Sequence, residues 1–117
     1  MAWEGSCHCG AIRFEVDGNT PTEAVECNCS FCRRQGRKWW FVPFSQFRLL
    51  TNANAVASYF FGAHRIEHHH CGVCGCGPYS EGTHPHTGEK TAAVNLRCVP
   101  AVDIDALPVR HIDGASF

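Results

Sequence analysis

The sequence lacks an excess of charge of either sign. Ten lysines and arginines stand against eleven aspartates and glutamates, for a net charge of −1 with the histidines neutral. A general binder of nucleic acid or of an anionic membrane carries a basic surplus, so this balance argues against both as partners. A long apolar run is also missing. The longest bulky one, W-W-F-V-P-F at 39–44, falls far short of the roughly 20 residues that a membrane-spanning helix needs. The opening residues, M-A-W-E-G-S-C-H-C-G, have neither the basic nor the apolar region of a secretory leader, and the expectation is a soluble, cytoplasmic protein. There is no repeat, low-complexity tract or linker, so residues 1–117 are expected to form a single zinc-binding domain. The sequence says nothing of oligomeric state.

A sustained helical apolar stripe is absent too. The patterning that exists has period two. In 10–16, Ile12, Phe14 and Val16 face one way and Arg13 and Glu15 the other, and Asp17-Gly18-Asn19 closes the segment as a turn. The apolar stretch 39–42 reads as a strand stopped by Pro43, which has no N–H for a ladder. The aromatic stretch 58–61 ends at Gly62, and 65–71 alternates again with Ile66, His68 and His70 on one face. Ala92, Val94, Leu96 and Cys98 share a face of the last clear strand, with Cys98 a small buried hydrophobe. Trp39, Trp40, Phe41 and Phe44 read as core. Single helical turns are expected at 43–47 and 103–107. Many short strands predict a mainly β, antiparallel domain with little helix, whose small core would be assisted by metal.

What the chain does have is cysteine. It carries nine, an odd number with no export signal, which favours metal binding over a secreted disulfide scaffold; eight histidines add further donors. The cysteines gather in three groups: Cys7 with Cys9; Cys27, Cys29 and Cys32; and Cys71 with Cys74. In C-G-V-C-G the two-residue gap lets one tight turn aim two thiolates at one ion, and Gly75 permits the positive φ such a turn often needs. Cys7 and Cys9 could supply the other half of a tetrahedral zinc site. Both pairs lie beside predicted strands, so sheet formation can unite them. A four-cysteine site is closed and structural, and its binding energy adds to folding energy. The competing reading makes Cys7 and Cys9 reactive surface thiols and Cys71 and Cys74 a redox pair. Such a pair usually opens a helix, and no helical pattern follows here.

The middle group is different. Three thiolates fill three corners of a tetrahedron and can leave the fourth to water or substrate, the pattern of a catalytic metal. The alternative is a second closed site completed by Cys76, His64 or one of His68, His69 and His70. Consecutive strand residues point to alternate faces, so those three histidines cannot all serve one ion. They read as ordinary strand residues, with a proton-transfer role near the second site as the alternative. Arg33, Arg34, Arg37 and Lys38 follow the third cysteine. Arginine forks match carboxylates, and cations would offset the net −1 of a zinc held by three thiolates. A solvated basic loop is the plainer reading, and a polyanion contact a third. His84-Pro85-His86 falls in a polar stretch, 81–88, read as a surface loop or else a lid over the second site.

Taken in order, G-S-C-H-C-G-A-I-R-F-E-V, C-N-C-S-F-C, H-C-G-V-C-G, V-N-L-R-C-V and L-P-V-R-H-I-D-G span nearly the whole chain. They resemble the glutathione-dependent formaldehyde-activating enzyme family, whose domain also occurs in centromere protein V. The resemblance implies an antiparallel, β-rich Mss4-like fold with two zinc ions. A structural zinc would rest on Cys7, Cys9, Cys71 and Cys74, and a candidate catalytic zinc on Cys27, Cys29 and Cys32. The implied activity is that of a carbon–sulfur lyase, which condenses formaldehyde with glutathione to S-(hydroxymethyl)glutathione or splits that adduct. Small thiol and aldehyde substrates are the expected partners. Glutathione carries two carboxylates, for which Arg33, Arg34 and Lys38 are the candidate binding residues. Two positions depart from the family pattern: Cys76, where a small polar residue is common, and His70, where an aromatic is.

Two other functions fit parts of the sequence. A non-catalytic zinc module that binds nucleic acid or protein would use R-R-Q-G-R-K-W-W, where basic and aromatic side chains adjoin. A thiol redox protein would use the cysteine pairs and hold no metal.

Overall fold

The structure is a computed structural model that describes residues 1–61, 66–83 and 87–116. Within them lie strands β1 (Ala2–Ser6), β2 (Arg13–Asp17), β3 (Ala24–Cys27), β4 (Trp39–Pro43), β5 (Phe47–Leu49), β6 (Val56–Tyr59), β7 (Ile66–Cys71), β8 (Tyr79–Thr83), β9 (Lys90–Asn95) and β10 (Val109–Ile112), and one α-helix, α1 (Ser30–Gln35). The protein is mainly β, as its period-two pattern predicts. The strands form a three-stranded sheet, ordered β1-β2-β5, and a seven-stranded one, ordered β10-β3-β4-β9-β8-β7-β6. All pairs are antiparallel except β10 with β3, which is parallel.

Alternation decides which side chains meet. On β2, Phe14 and Val16 are fully buried while Arg13 and Asp17 face solvent. The inward residues Trp3, Phe14, Val16 and Phe47 of the small sheet pack against Val42, Tyr79, Ala92 and Val94 of the large one, with Ile12 and Leu96 closing the core. Phe14 stacks on Phe47 with ring centroids 5.3 Å apart. Gly5 permits the close approach of β1. A Cβ there would overlap the Phe14 ring and lie 2.7 Å from the carbonyl oxygen of Cys98.

The opposite face of the large sheet carries a second, smaller core. Cross-strand register aligns Tyr59, His68, Ser80, Ala93 and Phe41 on that face. Helix α1 covers it, bringing Phe31 and Cys32 against Val25 and Trp39. Six residues are too few for a helical periodicity to show, and local signals define the helix instead. The Cys29 sulfur caps the start by accepting from the Cys32 amide, and Gly36, at φ 66°, ends it by donating to the Cys32 carbonyl.

Several expectations shift in detail. The last core strand ends at Asn95, not at Cys98. The Asn95 side chain accepts from the Arg97 amide and turns Leu96–Cys98 into a 3₁₀ turn, so Cys98 leaves the strand face and is half-buried. Glu81–Thr83 belong to β8 rather than to a loop. The turn at 43–47 is a 3₁₀ turn at Phe44–Gln46, and 103–107 holds a single hydrogen-bonded turn from Ala106 to Asp103. Gly62, His64, Arg65 and His84–His86 lie outside the described residues.

Candidate metal centres and the adjoining cleft

Cys7 leaves the end of β1, Cys9 follows in the connection to β2, and Cys71 ends β7. Cys74 sits in the next turn, where Gly75 takes φ 83°. The fold brings all four together: their sulfurs lie within 4.8 Å of one another. Cys7 to Cys9 and Cys9 to Cys71 each measure 3.7 Å. A tetrahedral zinc with Zn–S bonds of about 2.3 Å has S···S edges of about 3.8 Å. The donor set therefore fits zinc in both chemistry and spacing.

Backbone amides are aimed at these sulfurs. Ile12 donates to Cys7 at 3.3 Å, and Val73 and Cys74 each donate to Cys71 at 3.4 Å. The Cys76 and Cys9 amides hold the Cys74 thiol down at about 5, and the Cys74 and Val73 amides hold Cys71 below its ordinary value. The Ala11 amide pulls Cys9 the same way, but loss of solvent and the adjacent sulfurs of Cys71, Cys7 and Cys74 outweigh it, and Cys9 rises to about 11. Four sulfurs this close cannot all ionise unaided, since each thiolate opposes the next. A divalent cation at their centre removes that conflict.

The second group spans only six residues. Cys27 ends β3, Cys29 caps α1 and Cys32 lies in its first turn, with the three sulfurs within 4.8 Å of one another. The Cys29 amide donates to Cys27 at 3.5 Å, the Cys32 amide to Cys29 at 3.3 Å, and the Trp39 indole to Cys32 at 3.4 Å. Loss of solvent works to raise the Cys29 thiol, but the Cys32 and Phe31 amides and the neighbouring sulfurs hold it below its ordinary value. Burial pushes Cys32 up to about 12. Three clustered sulfurs with inward amides fit a thiophilic cation, as at the first group.

Among the described residues, no Cys, His, Asp or Glu joins this group as a fourth donor. Cys76 instead belongs beside the first group: its carbonyl accepts from Cys71 at 2.8 Å and its amide faces the Cys74 sulfur. The C-terminal segment closes one side. Asn28 donates to Asp113 at 2.9 Å and accepts from the Ala115 amide at 2.9 Å. This brings Gly114 so close that a Cβ on it would overlap the Cys27 sulfur.

The histidines divide by face. His68 stacks on Phe31 with ring centroids 3.9 Å apart and shares a hydrogen bond of 2.8 Å with Ser80 Oγ. Burial, with help from the nearby charges of Arg37 and His69, lowers it to about 4, so it is neutral at physiological pH. His70 lies on the same side. His69 points the other way, 2.8 Å from Glu81 and 2.9 Å from Ser58, and with Glu67 and Glu81 forms a third cluster that the sequence did not single out. Glu67 and His69 share a face of β7 by alternation, but the third member, Glu81, comes from β8, a pairing that spacing does not show.

The basic stretch is less uniform than it reads. Arg33 is exposed, Arg34 donates to the Ser30 carbonyl of its own helix at 2.8 Å, and Lys38 pairs with Glu26 at 3.6 Å. Arg37 is buried, at 4% exposure. It lines a cleft of about 260 Å³ with Phe31, Gln35, Tyr59, His68 and His70. Arg37, by burial, and Lys38, by its pairing with Glu26, are therefore not presented to a polyanion.

Fold and site together define a two-sheet β protein with one four-sulfur and one three-sulfur candidate metal centre. The chain belongs to the glutathione-dependent formaldehyde-activating enzyme family, whose model matches residues 2–111. It is 53% identical over 34 residues, 29% of its length, to a Halomonas elongata protein named "Putative glutathione-dependent formaldehyde-activating enzyme"; that stretch is 22% of the relative's own length. The fold matches the crystal structure of a Rhodobacter sphaeroides protein with a TM-score of 0.77 at 30% identity, covering 92% of this chain and 99% of that one. Among the described residues no helix is long and apolar enough to cross a membrane.

Proposed function

We propose that this chain is a zinc-dependent carbon–sulfur lyase and synthase. It would join a small thiol such as glutathione to formaldehyde, or to a related aldehyde, and split the same adduct. The observation that carries this reading is the three-sulfur group of Cys27, Cys29 and Cys32, with no fourth donor among the described residues and a cleft of about 320 Å³ that Cys27 lines with Asn28, His111 and Asp113. Family membership supports the thiol and the aldehyde as the substrate classes. Cys7, Cys9, Cys71 and Cys74 would hold a second, structural zinc.

The chemistry is an addition without redox change. The thiol sulfur forms a bond to the carbonyl carbon, the C=O π bond breaks, and the thiol proton ends on the new hydroxyl oxygen; the lyase direction reverses each change. Zinc on the three cysteines would supply a Lewis acid and the means to hold a thiol deprotonated near neutral pH. The protein's own residues do the rest. The Cys29, Cys32 and Trp39 N–H groups orient the three sulfurs. Phe31, Trp39 and neutral His68 wall the group on the sheet side and limit water. Exposed Arg33, with Arg34, would bind the carboxylates of an acidic thiol, while Lys38 pairs with its neighbour Glu26.

Exchange NMR on formaldehyde and glutathione tests this with zinc-loaded protein. Exchange faster than in buffer alone is expected, and that excess disappears in Cys29→Ser. Because thiols add to formaldehyde unaided, a rate equal to that in buffer refutes the proposal.

A further inference from the structure

Arg37 is a buried cation without a carboxylate partner among the described residues. Nη1 donates to Ser80 Oγ at 3.2 Å and Nη2 to the His69 carbonyl at 3.3 Å, but Nε meets no acceptor. The guanidinium carbon lies 5.2 Å from the Phe31 ring centroid and 5.4 Å from that of Trp39. Gly77 backs the group so closely that a Cβ there would overlap it. The side chain is thus fixed in place and cannot swing out to find a counter-ion. Burial works to lower the Arg37 pKa, and the groups of opposite charge that act on it are the sulfurs of Cys32 and Cys98, with no carboxylate among them.

The position of that charge is informative. Arg37 forms one wall of the 260 Å³ cleft. The other lining groups bring no second fixed cation from the sheet face: His68 is committed to Ser80 through Nδ1 and is neutral. Phe31 and Trp39, which sandwich the guanidinium, also adjoin the three-sulfur group. Phe31 precedes Cys32 in the chain, and the Trp39 indole touches the Cys32 sulfur. The cleft falls below the roughly 300–1,000 Å³ usual for drug-sized ligands, so it suits one amino-acid-sized end of a larger thiol. Its walls are aromatic and its charge is a planar fork, the combination that recognises a carboxylate.

We infer that Arg37 is the specificity-determining residue for the thiol, binding a carboxylate inside this cleft, which Phe31 and Trp39 separate from Cys32 of the three-sulfur group, and so selecting acidic thiols over neutral ones. This rests on the proposed function for the identity of the substrate class. The remainder of the molecule would lie outside the cleft, where Arg33 is exposed.

The test uses unreactive thioethers, so it does not depend on turnover. Zinc-loaded full-length protein is titrated with S-methylglutathione and with its dimethyl ester, by calorimetry and by following the Arg37 Nε–H resonance. The ester should bind about tenfold or more weakly, as for loss of a desolvated charge pair, and only the acid should move the Arg37 resonance. Arg37→Gln, checked for two zinc ions per chain, should bring the two affinities together. Equal affinities in the wild type, an unmoved Arg37 resonance, or discrimination that survives in Arg37→Gln overturns the inference. Should that variant fail to fold, the two wild-type measurements still decide. Binding of the acid through Arg37 without accelerated exchange would refute the enzyme reading alone. Accelerated exchange with no preference for the acid would refute this inference alone.

Discussion

Cysteine-to-serine substitution at the four-sulfur centre should cost more stability than any ordinary surface change, because that centre staples the two sheets. Cys7 and Cys9 hang from the small sheet and Cys71 and Cys74 from the large one. Cys9 and Cys71 are 62 residues apart. Linking two points separated by that much chain removes about 4 kcal/mol of entropy from the unfolded state. Against the 5–15 kcal/mol total of a typical domain, this is a large share. An unfolding entropy of about 2.1 cal/mol/K per residue converts it to a fall in Tm of about 16 °C for this chain. Scanning calorimetry on zinc-loaded wild type, Cys71→Ser and Cys9→Ser, with metal content measured alongside, tests the figure. Either serine breaks the same link, so the double variant should lose no more than either single one. A drop of under about 3 °C, or losses that simply add, would show that the four sulfurs do not act as one cross-link.

Other expectations follow from packing and charge. Gly114→Ala places a methyl against the Cys27 sulfur, which cannot yield without leaving its partners. Overpacking of this kind costs about 1–3 kcal/mol, and in a zinc titration the variant should take up metal more weakly at the three-sulfur group than at the four-sulfur one. Phe14→Ala empties the fully buried site stacked on Phe47, and a loss of about 3–5 kcal/mol is expected in urea unfolding. Hydrogen bonds from Arg48 hold the Asp17 carboxyl below its ordinary value. A depressed carboxylate pKa stabilises the fold at neutral pH, and that contribution is lost as pH falls through the folded-state value. Asp17→Asn should therefore be less stable than wild type at pH 7, and the gap between their urea midpoints should close below about pH 4.

The sequence displays local geometry well and long-range geometry poorly. The C-G-V-C turn and the cysteine pairs were legible because two or three residues set the turn that aims each thiolate. Phe14 and Val16 were legible because alternation assigns a face directly. Helix α1 was not, since its six residues are too few for a stripe and its limits rest on a sulfur cap and a left-handed glycine. Strand β10 was missed as well. Only its parallel pairing with β3 delivers Asp113 and Gly114 to Cys27, and short parallel edge pairing leaves little pattern in the chain. The basic stretch shows the limit most plainly. Arg33 and Arg37 look equivalent in R-R-Q-G-R-K, yet the helix ends between them, leaving the first in solvent and turning the second beneath Phe31 and Trp39. His68 and His69 could both be buried because β7 is an interior strand of the large sheet, flanked by β6 and β8.

The two sulfur groups differ in what their loss should do, and the topology is the reason. The first draws its ligands from two sheets and from distant parts of the chain, so any movement of one pair relative to the other is a movement of the whole fold. The second takes all three sulfurs from residues 27–32, on one strand end and one short helix, and the rest of the fold meets it only as walls. A site of that kind can change its fourth partner without disturbing the sheets. It also lies at a surface cleft, which Cys27 lines, rather than in the core between the sheets. Substitutions at Cys27 and Cys29 should therefore abolish exchange while lowering Tm far less than those at Cys9 and Cys71, and a reversed order of the two effects would exchange the roles assigned to the two centres.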